Sequence, residues 1–320
     1  MTHRRLWFAP LLLLPLVAHA AVPELPARGP YPVGFTQRTF TKTSVTTGEP
    51  RVLDTLIWYP AVAGTGSAEG AILRNAEVAP QRHPLILFSH GSCGIPAQSP
   101  FYVETLASFG FVVAAPPHPG NTTADFPQCV ANAPDSFLNR VPDLQWVLTA
   151  MLLESQNPSS AFWRRVHPKR IGVSGHSFGG QTTLRLLAAD RRVKAGVALA
   201  PALAPEAVIR QPGMVIAGEA DSVTPFATAA RGSYERLDGR RWLVGLAGGG
   251  HCAFTFGCAP QLCGACGTLP LKEGYDATLR WSVPFFLRYV ARSPRYGALL
   301  RPQLATPPAT VEMAPRRRNP

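Results

Sequence analysis

Short, mostly apolar runs alternate with helical segments through most of this chain, and this alternation restricts the fold more than any other feature. Strands are predicted at 84–88, 111–115, 170–174, 194–200, 214–217 and 242–246. Helices are predicted at 101–109, 137–153, 178–189 and 275–290. Strands without a polar face must be covered on both sides. The pattern therefore predicts an α/β fold, with a mostly parallel central sheet and helices on both faces.

Two β-like runs come before this pattern and indicate how the sheet begins. Residues 34–46 are rich in Thr, Phe and Val, and residues 52–59 precede Pro60. The turn-forming Gly48-Glu49-Pro50 lies between them, which favours an antiparallel pair. This pair predicts an antiparallel N-terminal edge on the central sheet.

The N-terminus has the pattern of an export signal. Arg4 and Arg5 precede an apolar run from Leu6 to Val17, and Ala18-His19-Ala20 places small residues where a signal peptidase reads them. The run is too short to span a bilayer, with an uncleaved anchor as the alternative. We therefore expect residues 1–20 to be a signal peptide cleaved near Ala20, and the exported chain to be periplasmic or secreted.

No linker divides the remaining chain. A Pro-rich approach at 21–33 leads into one predicted domain at 34–292. The Pro- and Arg-rich segment 293–320 is expected to be a flexible tail. No later stretch reaches 18 apolar residues, so no transmembrane segment is predicted.

The charge is strongly positive but dispersed. The chain has 31 Lys and Arg against 19 Asp and Glu, a formal net charge of +12. Basic residues stand singly or in pairs, apart from the triplet 316–318, and no zinc finger, RNP signature or basic helix is present. We expect a solvated basic surface and no nucleic-acid partner.

Six cysteines follow the predicted signal, an even number that permits disulfides in an exported chain. Zinc at Cys263-x-x-Cys266 and free thiols are the alternatives, but a single C-x-x-C is a weak metal signal. We predict disulfides, no metal and no cofactor, and the pairing cannot be deduced from sequence. The cysteines are Cys93, Cys129, Cys252, Cys258, Cys263 and Cys266.

The pentapeptide Gly175-His176-Ser177-Phe178-Gly179 matches G-x-S-x-G at a predicted strand–helix junction. The match alone is weak, because three fixed residues recur by chance, so its position carries the argument. A sharp strand-to-helix turn holds a serine above the sheet, with glycines where side chains would clash. We predict that Ser177 is a nucleophile, the alternative being an ordinary Gly-rich turn.

A serine hydroxyl needs a base, and the base needs an orienting carboxylate. His251 follows the last predicted strand and three glycines, and Asp221 follows the strand at 214–217. Both are thus predicted at the carboxyl edge of the sheet, in the chain order Ser, Asp, His. Other acids compete with Asp221 for the orienting role: Asp190, Asp238 and Glu219.

The tetrahedral intermediate needs N–H donors for its oxyanion. One should be the backbone N–H of Phe178, the residue after the nucleophile. The second should come from the loop 89–94, Ser-His-Gly-Ser-Cys-Gly, after the first parallel strand. We expect this donor to be Ser92, with Gly91 as the alternative.

Three histidines lie in or beside these segments. His90 comes too early in the chain for the base and is interpreted as shaping its loop. His118 is a possible pocket residue or a plain loop histidine. His176 either contributes to the pocket or packs beside the serine.

Several segments resemble exported bacterial α/β-hydrolases known as predicted dienelactone hydrolases. That group is similar to platelet-activating-factor acetylhydrolases and, more distantly, to cutinase-like polyester hydrolases. The segments are 57–60, 85–91, 112–122, 170–180 and 197–201, and the resemblance covers roughly residues 34–290.

The resemblance implies the α/β-hydrolase fold, with Ser177, Asp221 and His251 as a catalytic triad and Ser92 and Phe178 as oxyanion donors. Dienelactone hydrolases carry a cysteine nucleophile, so a serine at this position favours general ester hydrolysis. The Cys-rich segment 252–266 departs from the family pattern, and we expect its disulfides to stiffen the loop that holds the base.

The sequence therefore predicts a serine carboxylic-ester hydrolase that forms an acyl-enzyme and acts on small-molecule or lipid-like esters. An amidase or peptidase on the same scaffold is one alternative. A non-catalytic binding protein is the other, although a binder would not need all three triad groups. Acyl length is not predicted, because this fold hosts many ester substrates.

Overall fold

The computed structural model describes residues 25–203 and 207–317, so the predicted signal peptide lies outside the described residues. Within them, eleven strands form one sheet. They are β1 (Val33–Thr43), β2 (Pro50–Pro60), β3 (Ser67–Glu69), β4 (Ile72–Arg74), β5 (His83–Ser89), β6 (Val112–Ala115), β7 (Val166–His176), β8 (Val193–Leu199), β9 (Gly213–Gly218), β10 (Arg241–Leu246) and β11 (Ala309–Ala314).

The strand order is β11-β10-β9-β8-β7-β5-β6-β2-β1-β4-β3. All neighbouring pairs from β6 to β10 are parallel. Strand β2 pairs antiparallel with β6, and β1 pairs antiparallel with β2. The mostly parallel sheet and its antiparallel N-terminal edge are thus confirmed.

Seven α-helices accompany the sheet within the described residues. They are α1 (Pro100–Ser108), α2 (Gln128–Ala131), α3 (Ala133–Glu154), α4 (Phe178–Ala189), α5 (Arg231–Glu235), α6 (Pro260–Cys263) and α7 (Leu271–Tyr289). Short 3₁₀ turns cover Thr123–Asp125, Pro294–Leu300 and Pro302–Leu304, and a π-helical turn covers Phe226–Ala230.

The helices cover both faces of the sheet, as the apolar strands require. In β5, Leu85 and Leu87 point into one buried cluster, while Ile86 and Phe88 point into another. Helices α3 and α4 contribute to the first cluster, and α1 and α7 contribute to the second. Side chains alternate across a strand, so one apolar run supplies both cores.

The segment after residue 293 differs from the expected flexible tail. Two 3₁₀ turns lead into β11, which pairs antiparallel with β10 from Ala309 to Ala314. Trp242 Nε1 donates to the Leu300 carbonyl at 3.0 Å and fastens the segment to the sheet. Without β11, the backbone N–H and C=O groups along one side of β10 would be unpaired, and β11 supplies their partners. The Pro- and Arg-rich composition around β11 gives no strand pattern in the sequence.

Among the described residues, no helix combines the length and apolar character that crossing a membrane requires.

Candidate active site

Ser177 occupies the turn between β7 and α4. Its φ of 57° lies in the left-handed region, which a non-glycine residue adopts at a cost. The Ser177 N–H donates to the Leu199 carbonyl on β8 at 2.9 Å. A Cβ at Gly179 would overlap the Ser89 carbonyl, so this position of the pentapeptide must be glycine for helix and strand to approach.

The structure brings Ser177, His251 and Asp221 into one hydrogen-bonded chain. His251 Nε2 lies 2.9 Å from Ser177 Oγ, and His251 Nδ1 lies 2.8 Å from Asp221 Oδ2. His251 is 3% exposed and Asp221 is 5% exposed, so the chain of contacts is shielded from water. Each residue comes from a loop at the carboxyl edge of the sheet, where the sequence predicts them.

Asp221 is held as a carboxylate by three donors besides the histidine. The backbone N–H groups of Val223 and Thr224 each donate to Oδ1 at 2.8 Å. The Thr224 hydroxyl donates to Oδ2, also at 2.8 Å. Burial raises the pKa of Asp221, but the hydrogen bonds from His251 and Thr224 outweigh it, so the net pKa is below its ordinary value.

The competing acids have other partners. Glu219 accepts from the Thr310 hydroxyl at 2.9 Å. Asp190 forms an ion pair with Arg192. The backbone of Asp238 bonds to Ile209 and Arg317. None of these contacts reaches His251, so Asp221 is the acid of this set that contacts the histidine.

The loop 89–94 lies directly over the serine. A Cβ at Gly91 would stand 3.5 Å from Ser177 Cβ. The Gly91 N–H already donates to Gln98 Oε1 at 2.9 Å, which favours Ser92 over Gly91 as an oxyanion donor. Phe178 is the first residue of α4, and an N–H in the first helical turn has no intrahelical acceptor. The dipole of α4 also favours a developing anion at this end of the helix.

His176 packs against His251 on the side of its backbone carbonyl. Its Nε2 donates to the His251 carbonyl at 2.9 Å, and the two rings lie 4.8 Å apart. Burial, together with the neighbouring His251, lowers the pKa of His176 to about 3. The ring is therefore neutral at physiological pH.

His118 is wholly buried beneath the loop 89–94 rather than exposed in a pocket. Its Nε2 lies 2.9 Å from Ser89 Oγ, and its Nδ1 lies 2.9 Å from Asp143 Oδ2. Its backbone N–H donates to His90 Nε2 at 3.0 Å, and His90 Nδ1 donates to the Gly91 carbonyl at 2.7 Å. His90 thus shapes its loop through hydrogen bonds at both ring nitrogens.

Sequence reasoning missed the charged groups of α3 that complete this cluster, Arg140 and Asp143. Both are 0% exposed. Asp143 is bound by Arg51 on β2, with Nε to Oδ1 at 2.9 Å. Charged residues inside the apolar periodicity of the predicted helix 137–153 are the signal that identifies such a buried cluster.

The predicted disulfides are confirmed, and the pairing is now defined. Cys93–Cys129 ties the loop after Ser92 to α2. Cys252–Cys263 and Cys258–Cys266 close the segment that follows His251. No grouping of His, Cys, Asp and Glu suited to a metal occurs in the part of the chain that the structure describes.

Apolar side chains are exposed on the loops that carry these groups. They lie shortly after the loop 89–94, β8, Asp221 and His251, and they are Ile95, Leu203, Val223 and Phe256. The Ala202 N–H donates to the Ser177 carbonyl at 3.2 Å, and the Phe256 N–H donates to the Gln98 carbonyl at 2.9 Å. The first bond ties the loop after β8 to the serine, and the second ties the segment after His251 to the segment that follows residues 89–94.

Comparison with known proteins identifies similar chains. A family profile described as PETase: PET hydrolase-like matches residues 41–300. Cutinase 2 of Thermobifida cellulosilytica is 33% identical over 154 residues, which are 48% of this chain and 53% of the relative. For Cutinase cut1 of Thermobifida fusca the identity is 33%, with 48% and 44% covered. For Cutinase est1 of Thermobifida alba it is 31%, with 48% and 47% covered. The chain matches about half the length of these relatives.

Proposed function

This chain belongs to the PET hydrolase-like family of α/β-hydrolases, and from that premise we propose that it is a serine carboxylic-ester hydrolase of the cutinase kind. The match is to the polyester hydrolases, the most distant of the groups that the sequence resembles. The single observation that carries the proposal is the chain of contacts from Ser177 Oγ through His251 to Asp221 Oδ2, at 2.9 and 2.8 Å.

Acylation begins when Ser177 Oγ attacks the ester carbonyl and His251 Nε2 takes the hydroxyl proton. Asp221 holds the ring with Nδ1 protonated and stabilises the imidazolium that forms. The N–H groups of Phe178 and Ser92 bind the oxyanion, and the imidazolium then gives its proton to the leaving alcohol. Water attacks the acyl-enzyme with the same base and releases the acid.

The exposed apolar side chains around the serine support a bulky apolar ester, such as a segment of cutin or a synthetic polyester. A polymer cannot enter a deep cavity, whereas several apolar groups on separate loops offer it an open contact surface. The relatives named cutinase point the same way.

Export supports the same substrate class, because an insoluble polyester cannot enter the cell and must be hydrolysed outside it. Three disulfides are typical of proteins that leave the reducing cytoplasm. We propose that the chain is cleaved near Ala20 and acts in the periplasm or in the medium.

The test uses the chain from Ala21 with p-nitrophenyl esters from C2 to C12, matched p-nitroanilides and a polyester emulsion. We expect ester hydrolysis that Ser177→Ala abolishes while the fold is kept. Comparable turnover in Ser177→Ala would refute the assignment, and faster anilide cleavage would favour an amidase. A folded protein that fails to react with a fluorophosphonate would indicate a binding protein.

The polyester surface is tested separately. Phe256→Ser should slow polyester hydrolysis several-fold and leave the C2 ester nearly unchanged, because only the polymer spans the exposed loops. Leu153→Ser is the matched control, since this exposed residue lies near the end of α3, which leads to the opposite edge of the sheet. Equal effects of the two variants would contradict the polyester surface.

A further inference from the structure

Arg140, on α3, is a fully buried cation directly beneath the proposed oxyanion site. It is 0% exposed and lies among the largest buried side chains of the protein. An unpaired buried charge is costly, so a buried arginine must satisfy its donors with well-placed acceptors. The positions of these acceptors therefore indicate the role of Arg140.

Most hydrogen bonds of the guanidinium go to the loop 89–92. Nη1 donates to the His90 carbonyl at 2.6 Å and to Ser89 Oγ at 3.2 Å. Nη2 donates to the Gly91 carbonyl at 3.1 Å. Nη2 also donates to Asn121 Oδ1 at 2.7 Å, and the Asn121 amide in turn donates to Ser92 Oγ at 3.2 Å.

Pairing with the nearest carboxylate does not explain this arrangement. Asp143 lies one helical turn further along α3, but its oxygens are bound by Arg51 and His118. Arg140 donates its remaining bond, from Nε, to Ser136 Oγ at 3.0 Å. Its hydrogen bonds among the described residues therefore go to neutral acceptors.

The same guanidinium also contacts the second proposed donor. Its central carbon lies 4.4 Å from the centre of the Phe178 ring, within the range of a cation–π contact. Phe137 stacks on the same Phe178 ring, with ring centres 6.5 Å apart. One cation thus contacts Phe178 directly and reaches Ser92 through Asn121 and through the Gly91 carbonyl that precedes it.

We propose that Arg140 is a positioning residue that aligns and polarises the oxyanion hole. The Gly91 carbonyl and the Ser92 N–H belong to one peptide unit. A cation bound to that carbonyl draws electron density toward the oxygen and makes the N–H a stronger donor at its other end. The contact with Phe178 fixes the start of α4 against the same loop. The inference rests on the proposed function, since it concerns the oxyanion of the ester reaction.

The test compares Arg140→Lys and Arg140→Met with Arg185→Met. Lys keeps the charge but lacks the fork that joins two carbonyls, and Met loses both. Arg185 stacks on Phe137 and donates to its carbonyl without contacting the loop 89–92, so it is a matched control. The concentration of active sites is titrated with a fluorophosphonate, which separates damage to the fold from slower chemistry.

We expect kcat per titrated site to fall about tenfold in Arg140→Lys and about 100-fold in Arg140→Met, with KM within about twofold. The inhibition constant of a trifluoromethyl ketone, whose adduct with serine carries an oxyanion, should rise by the same factors. The Arg185→Met variant should stay within about twofold of the parent. A purely structural role would lower the titrated fraction and leave kcat per site unchanged, and that result would overturn the proposal.

A measurement on the parent protein covers the case in which the variants do not fold. The amide proton of Ser92 should shift downfield in the NMR spectrum when the trifluoromethyl ketone binds, and an unmoved signal would overturn the proposal. Absence of any ester hydrolysis by the parent would instead count against the proposed function. An active parent with an unaffected Arg140→Lys would reject only the role of Arg140.

Discussion

The hydroxyl of Thr224 donates to Asp221 Oδ2 over 2.8 Å, the same carboxylate oxygen that faces the His251 ring. It also lies 3.1 Å from His251 Nδ1. One buried hydroxyl therefore contacts both groups that must keep a fixed orientation while the proton moves.

Replacing this hydroxyl tests its contribution. Thr224→Val keeps the shape but removes a hydrogen bond to a charged group, which we expect to lower the free energy of unfolding by about 1.5 kcal/mol. We expect kcat to fall about tenfold, because the carboxylate and the ring lose a shared support. Thr224→Ser keeps the hydroxyl and should be close to the parent in urea unfolding and in ester kinetics. Equal losses in both variants would contradict the contribution assigned to the hydroxyl.

Variants of Asp221 and of the neighbouring Glu219 test which acid orients His251. In Asp221→Asn the amide favours the wrong histidine tautomer, and we expect kcat to fall about 10⁴-fold. Glu219→Gln should change kcat little, because its carboxylate bonds to Thr310. Steady-state kinetics on one p-nitrophenyl ester measures both. A large loss in Glu219→Gln with activity kept in Asp221→Asn would reverse the assignment.

The two disulfides after the base should contribute unequally to activity. Cys252 directly follows His251, so we expect the double variant Cys252→Ser/Cys263→Ser to lower kcat by loosening the base. Cys258→Ser/Cys266→Ser is the comparison variant, with a bond of similar span whose cysteines lie further along the chain from the histidine. Each bond should stabilise the fold by about 2–3 kcal/mol. Activity unchanged in the first variant, or after mild reduction, would contradict a positioning role for this loop.

Acid stability should depend on buried neutral histidines. The pKa of His176 is lowered to about 3 in the folded protein, whereas an unfolded histidine titrates near 6.5. Between these values only the unfolded chain binds the proton, so the free energy of unfolding falls as the pH drops. Burial lowers the pKa values of His90 and His118 as well, and both act in the same direction.

Removing one of these buried histidines should make the free energy of unfolding less dependent on pH. We expect His176→Gln to reduce the slope by up to about 1.4 kcal/mol per pH unit between about pH 4.5 and 6.5. Urea unfolding across this range measures the slope. His167→Gln, at a more exposed histidine, should reduce it much less. An unchanged slope in His176→Gln would mean that this ring is charged in the folded protein.

Most of the sheet could be predicted because parallel strands that are buried on both faces require continuous runs of apolar residues. The helix predicted at 178–189 coincides with α4, and the other predicted elements shift by a few residues at their ends. The positions of Ser177, Asp221 and His251 follow from chain order and strand ends alone. Their distances required the structure.

Other features have no local signature in the sequence. Strand β11 is defined by the open backbone of β10 rather than by its own composition. Disulfide pairing depends on which loops meet in space, as in Cys93–Cys129 across 36 residues. The charge of Arg140 stands out in the apolar pattern of its helix, but its contacts do not. Its acceptors are carbonyl oxygens about 50 residues away, and backbone acceptors leave no trace in side-chain identity.

The pairing of β11 with β10 also bears on self-association. A sheet with an uncovered edge is a template for a second copy, and this sheet ends on the other side in β3, a strand of only three exposed residues. Removal of the chain from Ala309 would uncover the six-residue backbone of β10, while leaving the triad untouched. Strand β11 is itself the edge of the complete sheet and carries Glu312, which pairs with Arg231. Its removal would replace this charged edge with the apolar edge of β10, so we expect the shortened chain to keep its activity and to associate edge to edge more readily.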